Sequence, residues 1–194
     1  VSLQREYQDE VVGYLVAEAR AGRTPNPDIM CNSRIKFGVF HDRIGTHFAH
    51  VASGHYARTA RTTDGEARLL MSADAHKDQT YFLSQLRQAQ LRNTLFPIGH
   101  MPKPEVRAAA ERLHLPNRAR KDSQGICFLG QLNYDDFLRD HLGEAPGPVL
   151  DHESGVEIGT HRGLWFHTVG QRRGLGPILG NAHRARGPWH VVRK

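Results

Sequence analysis

The chain is poor in cysteine, and this shortage excludes several classes of protein. Only two cysteines occur in 194 residues, Cys31 and Cys127, whereas small secreted scaffolds held by disulfides are much richer in them. They do not form a C-x-x-C pair, so a zinc ribbon and a thioredoxin-type motif are excluded, and no metal ligands are predicted. No apolar run reaches the roughly 18–20 residues that a membrane helix needs. We therefore expect a cytoplasmic protein without a membrane partner, with a mitochondrial location left open.

An excess of positive charge is present instead. The chain has 26 basic and 20 acidic residues, which give a net charge of +6, and 13 histidines. Such an excess favours phosphate-rich partners through long-range attraction and counterion release. A basic enzyme with no nucleic-acid partner would show the same excess, so charge alone leaves both interpretations open.

The hydrophobic pattern predicts an α/β protein. Helical spacing is found in four segments, and two short apolar runs between them are typical of strands. The prolines at 25 and 27 indicate an extended loop, after which Asn32 is expected to cap a helix. The predicted helices are 4–21, 32–40, 78–91 and 104–113, and the predicted strands are 50–56 and 68–72.

The composition changes after about Gly130, where glycine, proline and short β-like runs prevail. We therefore expect a domain boundary near 130–135. The first domain would span residues 1–132. The second, a small mixed α/β domain, would span residues 133–194.

Two segments place a cysteine where it could react. In the first, Asp28 precedes Cys31 by three residues on the proline-containing loop. A thiol at a helix N-terminus is favoured as thiolate, and a nearby carboxylate can move protons. In the second, Cys127 follows Gly125, which allows a substrate close to the backbone. A turn aspartate and two packed cysteines would produce the same patterns, so a structural interpretation stays open.

Three further segments could bind a substrate. Gly54 is expected at the carboxyl end of a strand, where α/β sheets bind ligands, and Lys77, Asp78 and Gln79 are expected to open a helix. Arg172 and Arg173 occupy a glycine-rich loop that could hold phosphate. A solvated helical turn and an ordinary arginine-containing loop are the alternatives.

Taken in order, these segments resemble the tRNA-specific 2-thiouridylase family (MnmA/TrmU type). The matching stretches begin at Thr24-Pro25-Asn26-Pro27-Asp28 and Ser53-Gly54-His55-Tyr56. They continue through Lys77-Asp78-Gln79-Thr80-Tyr81, Asp122-Ser123-Gln124-Gly125-Ile126-Cys127 and Thr168-Val169-Gly170-Gln171-Arg172-Arg173-Gly174. The resemblance implies a partial PP-loop ATPase domain with a parallel sheet and helices, followed by a central tRNA-binding domain.

The resemblance also implies a reaction and its residues. In the family, ATP with Mg²⁺ adenylates the C2 oxygen of the wobble uridine, U34, and a persulfide then delivers sulfur to C2. Cys127 would carry the persulfide, Cys31 would be its partner in a transient disulfide, and Asp28 would act as acid or base. Asn26, Pro27 and Asp28 would contact the target base, Gly54 the ATP, and Lys77, Asp78 and Gln79 the tRNA. The implied partners are tRNAs with Glu, Gln and Lys anticodons and a sulfur-relay persulfide donor protein.

One departure from the family pattern bears on activity. The family's nucleotide site opens with Ser-Gly-Gly-x-Asp-Ser, which occurs nowhere in these 194 residues, and its C-terminal barrel is also expected to be missing. We therefore expect a fragment that cannot thiolate tRNA by itself. Two alternatives stay open: a non-catalytic RNA-binding piece of such an enzyme, and a different PP-loop ATP-pyrophosphatase. The paired cysteines argue against the latter, whose amide-forming chemistry needs no persulfide.

Overall fold

The computed structural model of the protein describes residues 1–120 and 133–194. The chain divides into two compact units, of which the first comprises Val1–Val12 and Asn26–Gly130 and the second comprises Gly13–Pro25 and Gln131–Lys194. Within the described ranges, no helix is both long enough and apolar enough to cross a membrane.

The chain opens with a helical stretch that agrees with the predicted helix 4–21. It runs through three consecutive segments, Gln4–Tyr7, Gln8–Val12 and Gly13–Arg20, with wider turns in the middle one. The side chains at helical spacing are buried, as an amphipathic helix requires; they are Tyr7, Val11, Val12, Leu15 and Ala19.

A second helical stretch begins earlier than the sequence predicted. It runs through Pro27–Met30, Cys31–Val39 and Phe40–Arg43, with non-helical dihedral angles at Gly38. The prediction that Asn32 caps this helix is therefore wrong. Pro27 occupies the first helical turn, where proline is tolerated because the N–H that it lacks would have no partner inside the helix.

Strands near the middle of the first unit confirm the α/β class. β1 (Val51–Ala52) pairs in parallel with β4 (Thr94–Leu95), and β2 (Ala57–Arg61) forms an antiparallel hairpin with β3 (Ala67–Met71). The first unit's core includes Phe37, Ala57, Leu83 and Phe96. These buried side chains come from the second helical stretch, the hairpin and the segments beside β4, so they hold these elements together.

The predicted helix 78–91 is interrupted. The structure has a 3₁₀ turn at Thr80–Leu83 and a separate helix at Gln88–Arg92. The Gln88 side chain explains part of the break, because it pairs with the backbone of Ala67 through both its oxygen (2.9 Å) and its nitrogen (2.7 Å). A tertiary contact therefore overrides the helical spacing. The first unit also contains a short turn at Gly45–His47 and the predicted helix near 104–113, observed at Lys103–Arg112.

The second unit combines helices with one β-hairpin. Besides Gly13–Arg20, its described residues form the helices Tyr134–Leu142 and Asn181–Arg186 and a 3₁₀ turn at Leu164–Phe166. β5 (Gly147–Leu150) pairs antiparallel with β6 (Glu157–His161), with an irregularity between Val149 and Leu150. The short β-like runs were predicted, but the helix Tyr134–Leu142 was not.

Candidate active site

The loop before Cys31 is shaped by the side chain of Asn26. Its Oδ1 accepts a hydrogen bond from the backbone N–H of Ile29 (3.2 Å), so Asn26 is the N-cap of the helix that starts at Pro27. Such a cap provides a partner for an N–H that the helix cannot pair by itself. Asn26 thereby fixes where the helix begins and which residues lie in its first turn.

Asp28 and Cys31 lie on one face of this helix. Asp28 is half-buried in the first turn and Cys31 follows one turn later, with no solvent exposure. Residues three apart on a helix are neighbours, so the structure brings these two predicted site residues together. The expected position of Cys31 at the helix N-terminus is wrong, because the helix starts four residues earlier. The anion-stabilising end of the helix instead coincides with Asp28.

A polar contact holds the Cys31 helix against the turn at Thr80–Leu83, because the Asn32 side chain donates to the Phe82 carbonyl (3.0 Å). The Ser33 hydroxyl donates to the Ile29 carbonyl one turn earlier in its own helix (2.9 Å). Asn32 is 2% exposed. Within residues 1–120 and 133–194, its Oδ1 atom has no hydrogen-bond partner. An acceptor buried in this way beside Cys31 is costly unless something else satisfies it.

Gln90 supports the same helix where it breaks. Its side-chain nitrogen donates to the carbonyls of Ser33 (3.0 Å) and Phe37 (2.8 Å). Both carbonyls lie in the turn that precedes the irregular position Gly38, so the amide replaces hydrogen bonds that a regular helix would make itself. Sequence reasoning missed this residue because no local pattern marks a glutamine that bonds to a helix more than fifty positions away.

His55 lies between aromatic rings at the carboxyl end of β1. Its ring is 6.0 Å from that of Phe37 and 6.2 Å from that of Phe96, and its Nδ1 is 2.7 Å from the Ser53 hydroxyl. Burial lowers the pKa of His55 to about 4, the Lys36 ammonium acts in the same direction, and Asp28 opposes both. His55 is therefore neutral at neutral pH, within electrostatic reach of Asp28.

Gly54, the predicted ATP contact, lies in the open part of the same segment. It is exposed, and a Cβ atom added there would meet no atom within 4 Å. The structure therefore leaves room beside Gly54, at the end of a parallel strand where ligands commonly bind in such sheets.

Of the three predicted tRNA contacts at 77–79, two use their side chains inside the protein. The Asp78 carboxylate accepts from the backbone N–H groups of Ser72 (2.7 Å) and Thr80 (3.2 Å). Burial opposes its ionisation, but these bonds and one from the Thr80 hydroxyl together lower the pKa of Asp78. The Gln79 Oε1 atom accepts from the backbone N–H of Tyr56 (3.0 Å). Lys77 is exposed.

Arg172 and Arg173 lie in the predicted loop of the second unit. Gln171 shapes this loop, because its Oε1 accepts from the Thr168 amide (2.9 Å) and its nitrogen donates to the Arg173 carbonyl (2.7 Å). Both arginines are exposed. Neither has an ion-pair partner among the residues that the structure describes. Two unneutralised guanidinium groups side by side are suited to phosphate oxygens.

The second unit also holds two histidines that sequence reasoning did not single out. His161 and His167 line a cavity of about 630 Å³, with their ring centroids 5.8 Å apart. Burial lowers the pKa of His167, and His161 and Arg162 act in the same direction. These effects favour the neutral imidazole. His167 directly precedes Thr168, the first residue of a stretch that resembles the family, and this position could have marked His167 as a candidate site residue.

Cys127, the other predicted catalytic cysteine, lies outside the described residues, so the geometry concerns only Cys31 and its neighbours. Among residues 1–120 and 133–194, no cluster of three or more histidine, cysteine or acidic side chains could hold a metal ion.

Comparison with known proteins supplies matches along the chain. The family model described as the tRNA methyl transferase HUP domain matches residues 1–131, and that described as the tRNA methyl transferase PRC-barrel domain matches residues 135–194. A tRNA-specific 2-thiouridylase MnmA of Parabacteroides distasonis is 50% identical over all 194 residues, which make up 52% of that protein. Over the whole chain, the tRNA-specific 2-thiouridylase "MnmA 2" of Bacteroides fragilis is 53% identical, and the tRNA-specific 2-thiouridylase MnmA of Streptococcus sanguinis is 51% identical. The chain spans about half the length of these relatives.

Proposed function

Since the chain belongs to the tRNA-specific 2-thiouridylase family, we propose that it serves the thiolation of tRNA. In this reaction, persulfide sulfur is transferred to C2 of the wobble uridine, U34, in an ATP-dependent step through an adenylated uridine. The observation that carries the proposal is the capped helix that places Asp28 beside Cys31 in a chain about 50% identical to 2-thiouridylases along its entire length.

The proposed sulfur transfer uses both cysteines. The terminal sulfur of a persulfide on Cys127 forms a bond with C2, the C2–O bond breaks, and AMP leaves with the oxygen. The Cys31 thiolate then attacks the Cys127 sulfur, so that the S–S bond breaks and its electron pair stays on the uridine sulfur. The resulting disulfide between Cys31 and Cys127 is reduced by an external thiol. Asp28 removes or returns the proton at the reacting centre.

The described residues supply only part of a nucleotide site. ATP would provide the adenylyl group that makes the uridine C2 oxygen a leaving group, and Gly54 is the residue that we place beside it. The open space at Gly54 fits a neighbouring ligand. A phosphate cradle of backbone N–H groups needs a glycine-rich strand-to-helix loop, and the Ser-Gly-Gly-x-Asp-Ser pattern does not occur in the sequence. We propose ATP and Mg²⁺ as the cofactors of the reaction.

The tRNA would meet both units of the chain. We propose that the exposed Lys77 and the paired Arg172 and Arg173 contact its phosphates, and that Asn26, Pro27 and Asp28 face the target base. The net charge of +6 supports a polyanionic partner. The proposed substrates are tRNAs with Glu, Gln and Lys anticodons, and a sulfur-relay protein is the proposed persulfide donor.

The test is to measure 2-thiouridine in tRNA incubated with a full-length enzyme that contains this chain, together with ATP, Mg²⁺ and a persulfide donor. Mass spectrometry of digested tRNA should detect the product with that enzyme, lose it in its Cys127→Ser and Cys31→Ser variants, and find none with the 194-residue chain by itself. Both variants should bind tRNA as tightly as the unmodified enzyme, which controls for folding. Thiolation that persists in Cys127→Ser would refute the assignment. RNA binding without any product would favour the non-catalytic alternative.

A further inference from the structure

The segment Ser53–Tyr56 is held at its two ends and open in its middle. At the first end, the Ser53 amide donates to the Leu95 carbonyl (2.9 Å), which continues the pairing of β1 with β4. At the other end, Tyr56 is bound by Gln79. Gly54 and His55 lie between these two attachments, so the second attachment determines how well their positions are defined.

Gln79 binds both polar backbone groups of Tyr56, one through its side chain and the other through its own backbone N–H. The Tyr56 N–H donates to the Gln79 side-chain Oε1 (3.0 Å), and the Gln79 backbone N–H donates to the Tyr56 carbonyl (2.9 Å). The pair resembles one rung of a β-ladder in which a side chain replaces one backbone carbonyl. Because an N–H requires an acceptor, the amide oxygen of Gln79 must face Tyr56, and its orientation is fixed.

Gln79 directly precedes the 3₁₀ turn at Thr80–Leu83, and hydrogen bonds fix that turn to neighbouring elements. The carboxylate of the preceding Asp78 bonds to the amides of Ser72 and Thr80 and so connects the end of β3 to the turn at Thr80–Leu83. Nearby, Asp74 accepts from the Lys103 amide (3.0 Å) at the start of a ten-residue helix. The bond to Tyr56 therefore leads back to several fixed elements of the first unit.

We propose that Gln79 is a positioning residue, which holds Gly54 and His55 in place for the nucleotide, and that Asp78 supports it. This inference rests on the proposed function, because it is the thiolation reaction that assigns the nucleotide to Gly54. It differs from a direct tRNA contact by Asp78 and Gln79, since the acceptor atoms of both side chains are already bonded to the protein's own backbone.

Gln79→Ala and Gln79→Glu separate the two roles. The alanine variant removes the acceptor for the Tyr56 N–H, whereas the glutamate variant keeps an acceptor oxygen and replaces the outward amide nitrogen by a second oxygen. We expect Gln79→Ala to speed hydrogen exchange of the Tyr56 amide by roughly threefold to tenfold, the range of one ordinary hydrogen bond. In a full-length enzyme that contains this chain, the KM for ATP should rise by a similar factor while the Kd for tRNA stays within about twofold, because the side chain does not touch the RNA. Gln79→Glu should match the unmodified protein in Tyr56 exchange, because it keeps the acceptor oxygen.

The exposed Gln85, which lies two residues after the turn at Thr80–Leu83, provides a matched control. Gln85→Ala removes the same type of side chain and should leave Tyr56 exchange unchanged. Unchanged Tyr56 exchange in Gln79→Ala would overturn the inference. So would a tRNA affinity that falls well beyond twofold in Gln79→Ala, because the uncharged variant would then have lost a direct contact with the RNA. Failure of the full-length enzyme that contains this chain to form 2-thiouridine would refute the proposed function instead. The exchange and tRNA-binding measurements need no catalysis and remain interpretable in that case.

Discussion

The surroundings of His55 predict both the direction and the magnitude of its effect on stability as the pH changes. The pKa of His55 is lowered from 6.5 to about 4, chiefly by burial and next by Lys36. An imidazole with a depressed pKa binds fewer protons in the folded than in the unfolded chain between these two values. Its contribution to stability is therefore constant above about pH 6.5 and is lost as the pH falls towards 4.

The magnitude comes from the same two values. At 1.36 kcal/mol for each pH unit, the difference between 6.5 and about 4 corresponds to roughly 3 kcal/mol of unfolding free energy. Between pH 7.5 and 4.5, about 2.5 kcal/mol of it would be lost. His55→Phe keeps an aromatic ring between Phe37 and Phe96 but cannot titrate, so the free-energy difference between the two proteins should change by that amount over this range.

Two measurements check the prediction. An NMR titration should give the His55 imidazole a midpoint near 4, and the signal absent from His55→Phe assigns it among the 13 histidines. Urea unfolding of both proteins at several pH values supplies the free energies, and the exposed His50→Gln controls for the loss of a histidine from the unfolded chain. A midpoint above 6, or a difference between His55→Phe and the unmodified protein that stays flat with pH, would show that burial does not hold this ring neutral.

The other predictions concern the cap and the arginine loop. Asn26→Ala should lower the free energy of unfolding by about 1 kcal/mol, while Asn26→Ser, which can still cap, should lose much less; equal losses in urea unfolding would show that the bond to Ile29 contributes nothing. If Asn26 also contacts the target base, Asn26→Ser should remain folded yet thiolate poorly. Replacing Arg172 and Arg173 by alanine should reduce the slope of log affinity for tRNA against log salt by about one to two, because each phosphate that an arginine neutralises adds about one to that slope. Fluorescence anisotropy at several salt concentrations measures that slope, and an unchanged slope would assign these arginines to the fold.

The sequence predicted best what depends on neighbouring residues. The first helix and the helix at Lys103–Arg112 follow from apolar spacing, and both are present. The predicted loop at Pro27 was wrong because two rules compete there. Proline breaks the interior of a helix, but it is well suited to the first helical turn. The helix Tyr134–Leu142 was missed although Asn133 caps it and Asp135 and Asp136 follow in its first turn, a recognisable start signal within a glycine-rich region.

Contacts between distant residues were not predictable in this way. The interruption of the helix predicted at 78–91 depends on Gln88 bonding to Ala67, and the shape of the Ser53–Tyr56 segment depends on Gln79. In both cases a glutamine amide replaces a backbone partner, and the two residues are more than twenty positions apart. Glutamine is among the better helix formers, so its local preference did not indicate that it would bond to a distant backbone group.

These glutamines indicate how the first unit holds polar segments that have little regular structure. β1 and β4 are only two residues long, so backbone pairing fixes few of the groups around them. Gln79, Gln88 and Gln90 supply the missing partners for Tyr56, Ala67 and the Ser33 and Phe37 carbonyls. A side-chain amide can donate and accept at once, which makes it suited to a junction where a loop, a hairpin and a broken helix meet. A substitution at such a junction should therefore disturb the geometry around Asp28, Cys31 and Gly54 without touching any of them.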